Sequence, residues 1–322
     1  ITAASLEYHQ MKVKPVKSIK ESKHFLSSLS RHVFPSIGNL PVLELKTNDV
    51  RRTFEPIWGK IPRMARDTLS RLEQVIGYAF VINGVDDRKN PAQWKKNIEM
   101  VLPSTEKMMR LKNGRLENHH PSLHFSQVPK FVAELKSWSG SAARALEFGI
   151  YTGARNSEVR LARWDEFNLS KGTWTIPAER TKQQREHIVL LPRQVLKLLL
   201  GIERRCEFVF PNPHRLRPFS DMVFISLIKR INAASEACRY IDSKMGNRRI
   251  TFHGFRSSLL TWNAEAGGYA KSLGEMTIGH QVRGQLEAAY DRSELFQKRK
   301  ELLQQWADYI SVDDEWPTQE VL

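Results

Sequence analysis

The chain has few cysteines and no long apolar run. Its 322 residues include only Cys206 and Cys238, which form no C-x-x-C pair. Two cysteines are too few for a disulfide framework or a cysteine zinc site, and they fit a reduced cytosolic setting. No apolar run approaches the roughly 20 residues that a membrane-spanning helix needs. We therefore expect no membrane partner.

The chain is also short of negative charge. Its 35 Asp and Glu stand against 50 Lys and Arg, which gives a net charge of +15. A surplus of this size indicates a polyanionic partner, most often nucleic acid, although a basic protein of another kind is the alternative from charge alone. Residues 1–117 hold 21 of the basic and 12 of the acidic residues. This is the distribution expected if the N-terminal part mainly holds a DNA backbone.

Length and patterning predict two domains in a mainly α protein with a small β component, that is, an α+β fold. In the first domain, apolar residues at helical spacing predict helices over 47–58 and 62–82. In the second, short apolar runs at 174–177 and 187–191 predict strands on either side of a polar turn. The predicted boundaries are a linker or arm at 1–19, a helical domain at 20–105, an interdomain linker at 106–121, a second domain at 122–312 and an acidic tail at 313–322.

Four separated segments of the second domain are unusually rich in Arg, His and Lys. They are Thr152 to Glu158 with Arg155, Glu179 to Lys182, the sequence His-Gly-Phe-Arg from His253 to Arg256, and Gly279 to Arg292 with His280 and Tyr290. Two Arg, one Lys and two His without a nearby carboxylate cluster suit a phosphodiester. Arg matches two phosphate oxygens with its planar fork, and fixed cations offset the charge of the transition state. Hard divalent metals prefer carboxylate ligands, so we expect no metal and no cofactor.

A nucleophile is available in the last of these segments. Tyr290 follows His280 by ten residues. A phenol has a pKa near 10, and nearby cations would favour the phenolate and make it reactive.

Taken singly, each candidate has an ordinary explanation. Arg155 could form a structural salt bridge, Lys182 could be a solvated turn residue, and the histidines could cap helices or fill the core. Tyr290 could be a packing residue with its hydroxyl bonded. Only the ordered set of Arg, Lys, His-x-x-Arg, His and Tyr across one domain is informative.

That set, together with longer phrases, resembles the tyrosine recombinase (phage integrase) family, most closely the P4-like prophage and genomic-island integrases. The resemblance covers roughly residues 20–310 and is carried by "RHVFPSIGNLPVLELKTNDVRRTFEPIW", "NPAQW", "TGARNSEVRLARWDEF", "WTIPAERTKQQREHIVLLP", "HGFRSSLLTW" and "IGHQVRGQLEAAYDRSELFQKRKELLQQWADYI". It implies a helical core-binding (SAM-like) DNA-binding domain, then a catalytic domain with a short β-sheet and hairpin.

The resemblance implies a role for each candidate residue. Arg155 and Arg256 would clamp the phosphate that is cut, and His280 would hydrogen-bond one of its oxygens. Lys182, on a β-hairpin, would protonate the departing 5′-hydroxyl. His253 would assist proton transfer at the tyrosine. Glu158, which lies three residues after Arg155, is expected to orient or pack rather than react.

Tyr290 would then form a 3′-phosphotyrosine, and the strands would be cut and rejoined without metal or ATP, as in type IB topoisomerases. The implied function is site-specific recombination that integrates or excises a mobile element or prophage, in the bacterial cytoplasm on the chromosome. The implied partners are double-stranded DNA attachment sites, three further copies in a synaptic homotetramer, and a host DNA-bending protein and an excisionase.

The N-terminal end departs from the family pattern, and the last predicted helix has two alternative roles. Such integrases usually begin with an arm-binding domain, whereas Ile1 lies near the expected start of the core-binding domain. We expect either a trimmed chain or an element without that domain. The helix predicted over 293–309 carries Leu302, Leu303 and Trp306 at near-helical spacing. It could pack internally or, as in the family, dock on a neighbouring protomer.

Three other classes of protein compete with an integrase. An inactive DNA-binding descendant is disfavoured because every expected catalytic position is filled. A metal-dependent hydrolase using His253 and His280 is disfavoured because His-x-x-Arg is not a metal-ligand spacing. A type IB topoisomerase would share the chemistry. The two classes are distinguished by whether strand exchange needs two defined sites.

Overall fold

The structure is a computed structural model that describes residues 1–85, 87–113, 120–181, 183–234, 240–280 and 292–311. The chain divides into two compact units, Ile1–Glu117 and Asn118–Leu322. Among the described helices, none is both long enough and apolar enough to cross a membrane.

The described part of the first unit is entirely helical. Its α-helices are α1 (Thr2–Tyr8), α2 (Ile19–His32), α3 (Phe34–Ile37), α4 (Thr47–Trp58), α5 (Pro62–Ile82) and α6 (Thr105–Asn113). The helix α5 is central because Leu69, Leu72 and Ile76, spaced by three and four residues, are fully buried on one face. The predicted helices 47–58 and 62–82 are confirmed. The first of them begins with an acidic cap, in which the Lys46 N–H donates to the Asp49 carboxylate at 3.0 Å.

Residues 1–19, predicted to be a linker or arm, are instead largely folded. Helix α1 continues into a π-helical turn at His9–Val13. Ile1 and Val13 are buried in the core of the first unit, and the Tyr8 ring lies 5.4 Å from that of Tyr78 on α5. The prediction was wrong because only a few, widely spaced apolar residues pack this polar segment against the core, so the sequence shows no clear helical pattern there.

The predicted linker at 106–121 is likewise partly wrong, since its described residues up to Asn113 are helical. Helix α6 begins at Thr105, which is buried, and Met108 packs against the core of the first unit. Their spacing of three positions places both side chains on one helical face, which is enough to hold a short basic helix against the core.

The second unit is mainly helical with two small antiparallel sheets. Its helices are α7 (Val128–Ser137), α8 (Ser141–Thr152), α9 (Asn156–Arg160), α10 (Arg193–Leu200), α11 (Val223–Ala234), α12 (Gly254–Trp262), α13 (Lys271–Thr277) and α14 (Arg292–Ile310). Its strands are β1 (Phe167–Asn168), β2 (Thr173–Ile176), β3 (His187–Leu190), β4 (Ile241–Asp242) and β5 (Arg248–Arg249). The predicted α+β class is confirmed.

The three-stranded sheet has the order β1-β2-β3, with both neighbouring pairs antiparallel. Trp174 pairs with Val189, and Ile176 pairs with His187 at the end of the ladder. Trp174 and Ile176 are fully buried while their neighbours are half-buried, as the alternation of a strand requires. The two predicted strands are confirmed.

Helix α14 packs inside its own unit, against α7, α8 and α13. Leu302, Leu303 and Trp306 are all buried. The Trp306 indole N–H donates to the carbonyl of Ile150 at 3.0 Å, and its ring lies 5.4 Å from that of Trp262. Of the two alternatives for this helix, internal packing is the one found for these three side chains.

We predict that Trp306→Ala lowers the free energy of unfolding by about 3–5 kcal/mol, because it empties a fully buried site and removes the donor to Ile150. The matched control is Leu200→Ala on α10, since Leu200 is 75% exposed and its loss should change stability by less than about 0.5 kcal/mol. Urea unfolding followed by circular dichroism checks both variants. Equal unfolding midpoints for Trp306→Ala and the parent would contradict the packing described.

Candidate active site

Three segments that are far apart in the sequence meet at one place in the second unit. Helix α8 ends at Gly153, whose left-handed φ of 64° turns the chain into Arg155 before α9. Helix α12 carries Arg256 in its first turn. Helix α13 is followed by Gly279, also left-handed with a φ of 69°, and then by His280. The two glycine turns bring the chain back toward α12.

Arg256 lies at the centre of this meeting point. Its side chain is 2% exposed, and its guanidinium donates from Nη1 to the carbonyl of Gly153 and from Nη2 to the carbonyl of Ile278 at 2.8 Å. Burial, and then the nearby Arg155, lower the pKa of Arg256 to about 10. It therefore remains a cation at neutral pH. Its Nε is buried without a hydrogen-bond partner among the described residues.

Arg155 is held beside it by a carboxylate. Glu158, which is 2% exposed, accepts from the Arg155 N–H at 2.7 Å and from its Nη1 at 2.8 Å. The Nη2 of Arg155 donates to the carbonyl of Gly279 at 2.6 Å. Glu158 thus orients the guanidinium, and its position in the first turn of α9 explains the Arg-x-x-Glu spacing.

The two guanidinium groups bind the carbonyls of successive residues, Ile278 and Gly279. The positive charge of Arg155 disfavours the charged form of Arg256, and this is the second cause of the lowered pKa of Arg256. A bound anion would relieve this repulsion and could accept from the remaining N–H groups of both forks. The arrangement is therefore suited to a phosphate group.

Two histidines lie near the arginines, and both are biased toward the neutral form. Burial first, and then the charge of Arg256, lower the pKa of His253 to about 4. Burial and Arg256 also lower the pKa of His280, against the opposing effect of Glu275, whose Oε2 lies 3.6 Å from the His280 Nδ1. At neutral pH a neutral imidazole can accept one hydrogen bond and donate another.

A cavity of about 460 Å³ opens beside this cluster. Arg155, Gly279 and His280 line it together with residues from the β2–β3 turn and from α14. Gln183 donates from its side chain to the Gly279 carbonyl at 3.0 Å. Lys182 and Tyr290 lie outside the described residues, but Thr181 and Gln183, on either side of Lys182, both line the cavity.

Arg180, at the start of the β2–β3 turn, connects this turn to the same cluster. Arg180 forms an ion pair with Glu166 and donates to the backbone carbonyl of Glu158 at 3.0 Å. Glu166 also accepts from the indole of Trp174 at 2.9 Å. Arg180 therefore connects the turn to the residue that orients Arg155.

Sequence reasoning missed several residues of this site. Gln183, Glu166 and Arg180 contribute through hydrogen bonds that no local pattern indicates. His187 packs so closely that a Cβ on Gly279 would lie 3.2 Å from its Nε2; burial lowers the pKa of His187 to about 4. A signal did exist for His187, since its place at the start of the apolar run 187–191 predicts a strand residue next to the turn.

The side chains around the cluster differ from those of a metal centre. Within the described part of the chain, no group of three or more His, Cys, Asp or Glu side chains is placed to hold a metal ion. The cations and imidazoles of the site are instead groups that can donate hydrogen bonds to an oxyanion.

Comparison with known proteins identifies relatives of the whole chain. The integrase of Enterobacteria phage P4 is 29% identical over 310 residues, a match that covers 89% of this chain and 64% of the relative. Prophage integrase IntZ of Escherichia coli (strain K12) is 26% identical over 293 residues, covering 90% of this chain and 66% of the relative. The chain thus spans slightly less than two thirds of the length of these relatives.

Solved structures share the fold. A lambda integrase tetramer bound to a Holliday junction matches with a TM-score of 0.63 and 13% identity, covering 90% of this chain and 79% of that chain. A Tn1549 transposon integrase in complex with transposon right end DNA matches with a TM-score of 0.59 and 14% identity, covering 93% and 98%. At these identities the likeness concerns the fold alone.

Family membership follows from two matches along the chain. Residues 2–97 match the phage integrase central domain, and residues 121–294, more than half of the chain, match the phage integrase family. The predicted resemblance to P4-like integrases is confirmed. The chain belongs to the phage integrase family.

Proposed function

We propose that the chain is the DNA-cutting and rejoining part of a site-specific recombinase that integrates or excises a prophage or another mobile element. The observation that carries this proposal is the pair of neighbouring guanidinium groups, Arg155 and Arg256, beside the cavity that Arg155 and His280 line. Glu158 offsets the charge of Arg155, whereas no carboxylate among the described residues is bonded to Arg256, so the pair retains positive charge that suits a phosphodiester.

In the proposed reaction the two arginines bind the non-bridging oxygens of one DNA phosphate. Negative charge grows on these oxygens as the phosphorus becomes five-coordinate, and donors already held in place stabilise it without reorganisation. His280 adds a hydrogen bond to the same group. Glu158 keeps the Arg155 fork in position throughout the step.

The covalent step is assigned to Tyr290 and Lys182. The Tyr290 oxygen attacks phosphorus, the bond from phosphorus to the 5′ oxygen breaks, and the electron pair stays with that oxygen, which takes a proton from Lys182. The phenol proton passes to a hydrogen-bond acceptor, for which the neutral imidazole of His253 is available at pH 7. The product is a 3′-phosphotyrosine diester and a free 5′-hydroxyl. A 5′-hydroxyl of another strand can reverse the step, so no ATP is needed.

The same proposal covers partners and location. The partners are double-stranded DNA attachment sites, gripped in part by the basic first unit, and three further copies of the protein in a tetrameric synapse. A host DNA-bending protein and an excisionase would adjust the direction of the reaction. The reaction would take place on the bacterial chromosome in the cytoplasm.

We predict that the protein forms a covalent adduct with a nicked duplex that carries its core site, in the presence of EDTA. Tyr290→Phe should abolish the adduct, because the attacking oxygen is gone. Denaturing gel electrophoresis with labelled DNA measures the adduct. The matched control is Tyr269→Phe, because Tyr269 is not among the described residues that line the cavity. An adduct formed by the Tyr290→Phe variant, or one that needs a metal ion, would contradict the mechanism.

We predict that Arg155→Ala binds the core duplex as the parent does but cleaves it at least about 100-fold more slowly, the usual loss for one donor to a developing oxyanion. The substitution leaves the buried Glu158 without its cationic partner. Arg155→Ala combined with Glu158→Gln removes that cost. Gel-shift and cleavage assays on both variants check this. Unfolding of both variants would show that Arg155 is structural, and normal cleavage would show that it does not act in the reaction.

We predict that Lys182→Ala slows cleavage of an ordinary core duplex yet cleaves at nearly the parent rate when the bridging 5′ oxygen is replaced by sulfur. A thiol has a pKa near 8.5, so its anion leaves without help from an acid. The ratio of the two single-turnover rates is the measurement, and Lys171→Ala is the control. An equal deficit on both substrates would rule out Lys182 as the general acid.

A further inference from the structure

The N-terminal end of the second unit is fastened to the start of helix α12. Residues 120–123 form this strap. The carbonyl of Pro121 accepts from the Thr251 N–H at 3.1 Å and from its hydroxyl at 3.2 Å. The Ser122 N–H donates to the Asp242 carboxylate at 2.9 Å. The Ser258 hydroxyl donates to the carbonyl of Leu123, so the strap is held from three separate elements.

Glycine at position 254 makes this approach possible. A Cβ at that position would lie 2.1 Å from the Pro121 carbonyl oxygen and 2.8 Å from the Ser122 Cα. Both are backbone atoms that cannot give way without moving the strap. The glycine between His253 and Arg256 is therefore required by the strap, and the strap lies directly on the turn that presents both residues.

The first residue of the strap reaches the candidate active site. The ring of His120 packs on the ring of His253, with 4.4 Å between centroids and 56° between planes. His120 is otherwise exposed, whereas His253 is half-buried. The contact covers one side of the His253 imidazole, whose other charged or titratable neighbours are Arg256, His280 and Arg155.

We propose that His120 is a positioning residue of the active site, which holds the His253 imidazole in the orientation needed at the reacting atoms. This inference rests on the proposed function. An imidazole that rotates about its side-chain bonds can leave the position in which its nitrogen accepts the proton. A displacement of about 1 Å can lower the reaction rate about 100-fold. The hydrogen bonds of the strap fix the backbone next to His120 relative to the backbone next to His253. The His120 ring can therefore limit rotation of the His253 ring.

The same contact affects the titration of His253. The His120 ring excludes water from one side of His253 and adds a like charge when protonated, and both effects keep the pKa of His253 low. Without that ring, the pKa of His253 should rise from about 4 toward its usual value of 6.5. Because protonation would then begin at higher pH, the acid limb of the cleavage profile should move to higher pH.

Three variants of the full chain test the proposal. His120→Ala removes the ring, His120→Phe keeps a ring that neither titrates nor hydrogen-bonds, and His124→Ala is the control. His124 is an exposed histidine on the chain just beyond the strap, with its ring against Phe125. The pKa of His253 is followed by NMR of the imidazole carbons in the free protein, and cleavage of the core duplex is followed across pH 4 to 8.

We expect His120→Ala to raise the pKa of His253 and to slow cleavage by about 10-fold to 100-fold, with unchanged DNA binding. His120→Phe should keep the pKa low and recover most of the rate. Parent behaviour of His120→Ala in both measurements, or equal defects in the Ala and Phe variants, would overturn the proposal. Weaker DNA binding by both variants would overturn it in favour of a DNA contact. If the parent itself fails to cleave, the proposed function falls, while the titration of His253 still reports on the ring contact.

Discussion

The hydrogen bonds of one buried cation hold the site together. Arg256 is almost fully buried, and its guanidinium binds the carbonyls of Gly153 and Ile278. A charge buried this deeply is tolerated only when its N–H groups are well bonded, so the turns at these two carbonyls are fixed relative to α12. Arg155 follows one turn and His280 follows the other. Displacing Arg256 would therefore disturb every described member of the cluster.

The positive charge of the site is only partly offset by the carboxylates of the described residues, and the proposed function rests on this surplus. Glu158 offsets the charge of Arg155, but no described hydrogen bond or ion pair joins Arg256 to a carboxylate. Its Nε remains buried without a partner among the described residues. The lowered pKa values of Arg256, His253 and His280 all express the same surplus of positive charge and burial. Under the proposed function, a phosphodiester would supply both the missing charge and the missing acceptors.

Much of this was predictable from the sequence, for physical reasons. Helices with a full apolar face, such as α4 and α5, were predicted closely, and the ordered Arg, His and Lys segments indicated phosphate chemistry. The carbonyl partners of Arg155 and Arg256 were not predictable, because they lie 124 and 22 residues away and any residue can supply a backbone oxygen. The contact of His120 with His253 was missed because a linker was expected there. Lys182 and Tyr290 remain predictions from the sequence.

The central claim is that the arginine pair holds a DNA phosphate for attack by one particular tyrosine. The most direct test is to trap the protein on a nicked core duplex in EDTA, digest the complex and identify the peptide that carries the nucleotide by mass spectrometry. The account predicts a single modified peptide, with a 3′-phosphate diester on Tyr290. A nucleotide on any other side chain, or cut DNA with no attached peptide, would contradict it.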